Sequence, residues 1–499
     1  MSARSAAACW AVAAALGSLA CEPAAEPPVA LRAQAPLPAP TRAASAAPSG
    51  ASDDEPAAVI PERAVAFTDD LVAVAAETSV YPEPRWGSHR LGYLRLGAVV
   101  RRAHDPELAN ARCPGGWYRV APRGYVCAGP LASLDPKDPR AVAADVRPRL
   151  DGMPYPYVMS RSPPPPLYAR LPTRWQELRY EPDLAKHVNE GLGGGAWPAV
   201  DAVPGYLADD APTLALGNAY RSPDQVFLGT AHTRSGFALL STFDHLGRRF
   251  GLTPELEVVP LDRTRLVRAS ELHGVALDEG EDLPVGFAKR SGAVRAVWTD
   301  KGLAPGGGLP PRAAVKLTSA TRDIDGRSYV VAADGGLFRA EQLIIARAPK
   351  HPPAWATDGV KWIEVSIPRQ LLVAYEGTRA VYATLVSTGV GGTADPEETH
   401  ATVQGMFKIY EKHVSVTMAG RQAADPFDLR DVPFVQYFSG GYALHGAYWH
   451  DDFGREHSHG CVNLAPVDAA WLFAWTDPHV PDDWHGVMSS AGTTVWVHD

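Results

Sequence analysis

Short runs in which apolar and polar residues alternate, each cut off by glycine or proline, recur from about residue 66 to the C-terminus. Strands read this way, because side chains on an extended backbone point alternately to opposite faces. With 46 prolines and 45 glycines in 499 residues, the chain must contain many turns and at least one linker. It is therefore read as mainly β and multidomain, with about three or four domains at this length. Apolar content of 46% and charged content of 21% suit globular material. A net charge of −9 with no long basic block argues against nucleic acid as a partner.

The N-terminus differs. Residues 1–21, "MSARSAAACWAVAAALGSLAC", combine Arg4 with an alanine-rich apolar stretch that is too short for a membrane span and reads as an export signal. "SLAC" resembles a bacterial lipobox, with Ser18 where leucine is usual. Lipidation at Cys21 and simple cleavage nearby both fit, the former implying a lipid anchor in a membrane. Residues 22–65 are Ala/Pro-rich, without aromatics or periodicity, and read as a disordered tether. The expected location is outside the cytoplasm, in the periplasm or cell envelope.

Residues 66–137 contain "VAVAAETSVYPEP", "LGAVVRRAHD" and "WYRVAPRGYVCAG", and resemble a small bacterial SH3-like barrel. Cys113 and Cys127 bracket a hairpin-like stretch and, in an oxidising compartment, are expected to pair. Residues 280–349 read as a second SH3-like module. Residues 138–279 hold a proline-rich connector and a β-rich stretch from Gly236 to Val267. They are read as scaffold or spacer, without an assigned function.

From residue 360 to 499 the pattern is more regular. "WIEVSI" and "QLLVAYEGTRAVYATLVSTG" read as strands, the second folding back at Glu376-Gly377, and "GMFKIYEKHVSVTM" reads as another strand region. A short helix is expected from Pro466, with Val467, Ala470, Trp471, Ala474 and Trp475 on its core face.

Cys461 lies in "HSHGCVNL", just ahead of that helix. An unpaired thiol in an exported protein invites oxidation, so its presence suggests chemistry. On this reading the positive end of the helix would favour a thiolate, and Gly460 would let a substrate carbonyl approach the backbone. His445, at the end of an apolar run sixteen residues upstream, could take and return a proton. Two rival readings use the same residues. A zinc site could draw on His445, His450, Asp451, Asp452, His457, His459 and Cys461, yet their spacing fits no familiar zinc arrangement. An inert, buried Cys461 is the other. His450 and His457 are read as exposed loop residues.

His445, twelve intervening residues, and then Ser458-His459-Gly460-Cys461-Val462-Asn463 resemble the signature of the L,D-transpeptidases, the YkuD-type enzymes of bacterial cell walls. "THATVQGMFKIYEK" is similar to another segment of that family, with Val403 where proline is common. The resemblance covers somewhat over a quarter of the chain. It implies a β-rich catalytic domain at 360–499 with a short helix after the cysteine, in which Cys461 is the nucleophile and His445 the base, then the acid. It also implies that the Gly446 carbonyl orients the imidazole and that Gly460 and Cys461 N–H groups form an oxyanion hole. Ser458, His459 and Asn463 would shape the loop, and Tyr437 and Asn463 would meet substrate.

The substrates implied are peptidoglycan stem peptides, as donor and acceptor, with no metal and no cofactor. Water as acceptor would make the protein an L,D-carboxypeptidase, and a protein lysine would make it a protein-to-wall ligase. A reading of another class is a non-catalytic wall-binding lipoprotein whose barrels do the binding.

Overall fold

The computed structural model describes residues 65–87, 89–207, 225–357, 359–420 and 427–499. The export signal, Cys21 and nearly all of the tether lie outside the described residues. The rest is mainly β, with the C-terminal domain following several smaller β-rich regions.

Why the first β region cannot be a detached bead is visible in its strand pairing. Phe67–Ala73 pairs with Val99–Ala103 and Ala132–Ser133, while Cys113–Arg119 pairs with Leu108–Asn110 and Tyr125–Cys127. A disulfide joins Cys113 to Cys127. Its remaining hairpin leaves Gly92–Arg95 with a free edge, and that edge pairs with Gly486–Met488 of the C-terminal domain. An open strand edge exposes unsatisfied amides and carbonyls, so this pairing covers it. Gly92 suits the junction because a Cβ there would stand 2.2 Å from the Gly486 carbonyl oxygen. Leu71, Val80, Leu94 and Val126 share one hydrophobic cluster with Ile363, Phe434, Leu444 and Val497.

The 138–279 region, expected to be scaffold or spacer, is sewn into the same sheet. Thr264–Leu266 pairs with Tyr157–Ser160, which pairs with Gly236–Ala238, which runs parallel to Phe427–Ser439. Five more of its strands form a separate sheet that includes the Ser241–His245 and Arg248–Leu252 hairpin, and Val275–Ala276 pairs with Arg379–Leu385 of the C-terminal domain. Residues 280–349 form a seven-stranded, strongly bent sheet around Phe338, Val330 and Leu343.

Within the C-terminal domain, Lys361–Ser366, Leu371–Glu376 and Arg379–Leu385 form a meander, and Gly377 at φ +62 makes its turn. The expected single strand region around "GMFKIYEKHVSVTM" is two strands in two sheets. Gly405–Lys408 pairs with Thr494–His498, and the chain then crosses at buried Ile409 so that Glu411–Gly420 can pair with Phe427–Ser439.

The Pro466–Trp475 helix is present, but its buried face is Ala469, Ala470, Leu472 and Phe473. Val467 and Ala474 are exposed, and Trp471 is half-buried against Tyr382 at 4.0 Å between ring centres. The helix is apolar almost all round, so periodicity alone could not select the face. Its one buried acid does: Asp468 accepts from Tyr382 OH and the Gly274 amide, both at 2.7 Å. At the other end, fully buried Lys412 donates to the Phe473 and Thr476 carbonyls at 2.7 and 2.8 Å, satisfying groups that a helix terminus leaves unpaired.

Candidate active site

Tyr442–Gly446 and Val462–Leu464 run parallel, with Leu444 opposite Val462 and His445 opposite Asn463. Side chains two positions apart on an extended chain share a face. Cys461, one residue before the second strand, therefore projects on the side of Asn463 and His445. Strand geometry sets the Cα atoms of Cys461 and His445 about 8 Å apart, a span that two side chains can close. Both line one cavity of about 970 Å³.

His445 is buried, with Nδ1 3.2 Å from the Gly446 carbonyl oxygen. A carbonyl only accepts, so Nδ1 carries the hydrogen and Nε2 keeps its lone pair. Burial holds the imidazole down to a pKa of about 4, against the opposing effect of that bond. The Cys461 thiol is half-buried and donates toward Gly441 O across 3.6 Å. Burial pushes it up to about 11, although the Ala443 amide pulls the other way. The resting groups are thus a neutral thiol and a neutral imidazole that line the same cavity. The expected thiolate at a helix N-terminus is not what the fold provides: a three-residue strand and Ala465 separate Cys461 from Pro466. A helix dipole fades within its first turn.

The loop carrying Cys461 is fastened on both sides. Ser458 Oγ donates to the Cys461 carbonyl and accepts from the Gly460 amide at 3.1 Å. The Gly460 carbonyl in turn accepts from Thr402 Oγ1 at 2.8 Å, and the Val390 amide donates to Ser458 O at 2.9 Å. Gly460 sits at φ +122, where a Cβ would meet the Tyr442 ring at 2.7 Å. The Gly460 N–H, expected in an oxyanion hole, is engaged by Ser458 and would have to be released to act there. His459 is exposed, its ring 4.7 Å from His400 and 5.2 Å from Phe427. Tyr437 lines the cavity, and burial, followed by the nearby Cys461, pushes its phenol up to about 12.

Asn463 is buried, and its Nδ2 stands 2.8 Å from His450 Nε2. The Asp452 backbone N–H donates to His450 Nδ1 at 3.1 Å, so Nδ1 accepts, the ring hydrogen sits on Nε2 toward the Asn463 side-chain amide, and His450 is held neutral. Burial accordingly lowers its pKa to about 3. His450 is part of the scaffold of the site, half-buried with its ring centre 4.0 Å from that of His457, and is not the exposed loop residue expected from sequence. The next two residues are held by the 280–349 module: Arg312 forks onto Asp451, and Arg290 reaches Asp452 at 2.8 Å. Adjacent aspartates in the loop were a sequence signal for ion partners, but nothing in it named them. Among the described residues, no group of three or more His, Cys, Asp or Glu is placed to hold a metal ion.

Fold and site together define a sheet-built domain in which a cysteine and a neutral histidine share one face and one cavity. Residues 360–497 match the YkuD family model, the L,D-transpeptidase catalytic domain, and this part of the chain is such a domain. Among curated proteins, none matches the chain. Similar solved structures include an L,D-transpeptidase of Xylanimonas cellulosilytica at 25% identity, covering 31% of this chain and 64% of that one, with a TM-score of 0.22. The catalytic domain of an Enterococcus faecium L,D-transpeptidase is 21% identical over 28% of this chain and 98% of its own, with a TM-score of 0.22. An L,D-transpeptidase of Mycobacterium smegmatis is 17% identical over 46% and 93%, with a TM-score of 0.23.

Proposed function

We propose that the protein is a cysteine L,D-transpeptidase that cross-links peptidoglycan stem peptides. The observation that carries this reading is the placement of Cys461 and His445 on one sheet face at one cavity, within a domain of that family.

In the proposed cycle the Cys461 sulfur attacks the carbonyl of the L-centre in a diaminopimelate–D-alanine bond. Its proton passes to His445 Nε2 as the carbon–sulfur bond forms, since both groups rest neutral. The carbon–nitrogen bond then breaks, His445 returns the proton to the leaving amine, and D-alanine departs from a thioester. An amine of a second stem attacks that thioester, gives a proton to His445, and restores the thiol as the carbon–sulfur bond breaks. The product joins two diaminopimelate residues. The Cys461 N–H is the remaining oxyanion donor of the expected pair, and the Gly446 carbonyl keeps the imidazole in the reactive tautomer.

Export and lipidation at Cys21 belong to the same proposal, placing the enzyme in the cell envelope beside its substrate. Labelling cells with an alkyne fatty acid tests the anchor; a Cys21-retaining protein without label rejects it. The activity is tested by mass spectrometry of products from purified muropeptides with wild type and Cys461→Ala. Cross-linked dimers from the wild type alone support the reading, and identical products from both defeat it.

A further inference from the structure

The cavity that holds Cys461 is not built by the catalytic domain alone. Arg265 lies opposite Met159, Met159 opposite Gly236, Gly236 opposite Leu429, and Leu429 opposite Met418. Directly opposed residues on paired strands face the same way, so this is one continuous row across five strands. Arg265, Met159, Leu429 and Met418 all line the cavity. Gly236, in the middle, has its side-chain space filled by Tyr448, whose hydroxyl would stand 2.2 Å from a Cβ there. The row is apolar except at its outer end, where Arg265 projects. Arg234, two residues before Gly236, also lines the cavity.

The charge balance of the lining is uneven. Among the described residues, its permanent cations are Arg234 and Arg265, both from the 138–279 region, and its only carboxylate is Glu456. Glu456 is turned to the Gly391 amide at 3.1 Å. Among the described residues, none forms an ion pair with the Arg265 guanidinium. Guanidinium groups bind carboxylates with two parallel hydrogen bonds, and a cleft with low-dielectric walls concentrates the field of such a charge.

We propose that Arg265, assisted by Arg234, forms a carboxylate-binding subsite that selects acidic peptides for the Cys461 cavity. Arg265 is thus a specificity residue supplied by a region outside the catalytic domain. This rests on the transpeptidase reading for its substrate class, but its test does not require turnover.

Cys461→Ala protein is titrated by calorimetry with a tetrapeptide stem bearing free carboxylates and with the same peptide fully amidated. The free acid should bind about tenfold more tightly, the size of one charge-assisted contact. Adding Arg265→Gln should remove that preference, and Arg265→Lys should restore part of it. Equal binding of the two peptides, or a preference that survives Arg265→Gln and Arg234→Gln together, overturns the proposal. A wild type that forms no thioester while Cys461→Ala keeps the preference would refute the transpeptidase reading and leave the subsite standing. In an active wild type, Arg265→Gln should raise KM for the free acid with kcat unchanged and leave the amidated donor unaffected. A drop in kcat for both donors alike would again overturn it.

Discussion

Arg312 closes a two-pronged ion pair on Asp451, its terminal nitrogens 2.5 and 2.6 Å from the two carboxylate oxygens and one of them 2.7 Å from the Asp451 carbonyl. Asp451 directly follows His450, which holds Asn463 two residues beyond Cys461. The ion pair is partly exposed, with side-chain exposures of 22% and 50%, so its effect on global stability should be small, within about 1 kcal/mol. Its effect on loop position should be larger. On the proposed function Cys461 should be acylated by a carbapenem, and Asp451→Ala is expected to slow that acylation about tenfold, by mispositioning the loop, while the unfolding midpoint barely moves. The swap Arg312→Asp with Asp451→Arg should recover part of the rate. Time-resolved intact-mass measurement checks this, and an unchanged rate in Asp451→Ala would remove the 280–349 module from the site's machinery.

The two reactive groups make opposite demands on pH. His445 is held near 4, below its unfolded value of about 6.5, so it is a competent base throughout the neutral range. The acid limb of Cys461 acylation should therefore fall near pH 4. The Cys461 thiol is held near 11, so its thiolate absorbance should show no step between pH 5 and about 9. A thiolate step below pH 7 would reveal a preformed ion pair and sink the neutral-pair description. Stability has a matching sign. Below about pH 6.5 the unfolded chain takes up a proton at His445 that the folded chain refuses until about pH 4. Stability is thus full above 6.5 and declines across that window, by up to about 1.4 kcal/mol per pH unit from this residue. His445→Asn should flatten that slope by the same amount.

Where the chain could be read in advance, the information was local. Alternation in "WIEVSI" and the Glu376-Gly377 turn sufficed for the Lys361–Ser366 strand and the hairpin after it, and the mainly β class followed from the same signals. Cys461 and His445 stood out because the motif around them is short and chemically specific. The face of the Pro466–Trp475 helix was not legible, because apolar residues surround it and only the partners of Asp468 decide the matter. His450, Arg312 and Arg265 were missed for a different reason. Arg312 and Asp451 are 139 residues apart, and Arg265 reaches the cavity only through pairing of Gly236 with Leu429. Contacts between distant segments leave no period in a sequence.

Gly460 is the position in the loop carrying Cys461 where a single methyl group should be decisive. Its φ of +122 is a conformation that residues with a Cβ rarely adopt, and the Tyr442 ring occupies the space such an atom would need. Gly460→Ala is expected to cost about 1–3 kcal/mol and to abolish detectable carbapenem acylation, because relieving either conflict moves Cys461. Tyr442→Ala combined with Gly460→Ala removes the clash but not the backbone strain, so it should restore only a small part of the rate. Full recovery in the double variant would show that packing alone constrains the loop.

Arg95 ties three of the four parts of the described chain together. It reaches Asp431 of the catalytic sheet, Ser415 Oγ at 2.8 Å, and Glu255 of the middle region at 2.9 Å, while itself belonging to the first barrel. Tyr157 from the middle region adds a bond to the Asp431 carbonyl at 2.7 Å. Asp431 is only 1% exposed, so Arg95→Ala strands a carboxylate in the interior, at a cost of about 3–5 kcal/mol. Pairing that change with Asp431→Leu should recover much of the loss, since the buried carboxylate is gone and the partner that Arg95 leaves behind, Glu255, is 28% exposed. Calorimetry of the wild type should show first β region, middle region and catalytic domain melting in one transition, because they share a sheet and the catalytic domain shares one hydrophobic cluster with each of the other two. An early, separate melt of residues 65–137 would mean that the strand junction at Gly92–Arg95 is too weak to couple them. The barrel would then be an appendage and not a structural part of the enzyme.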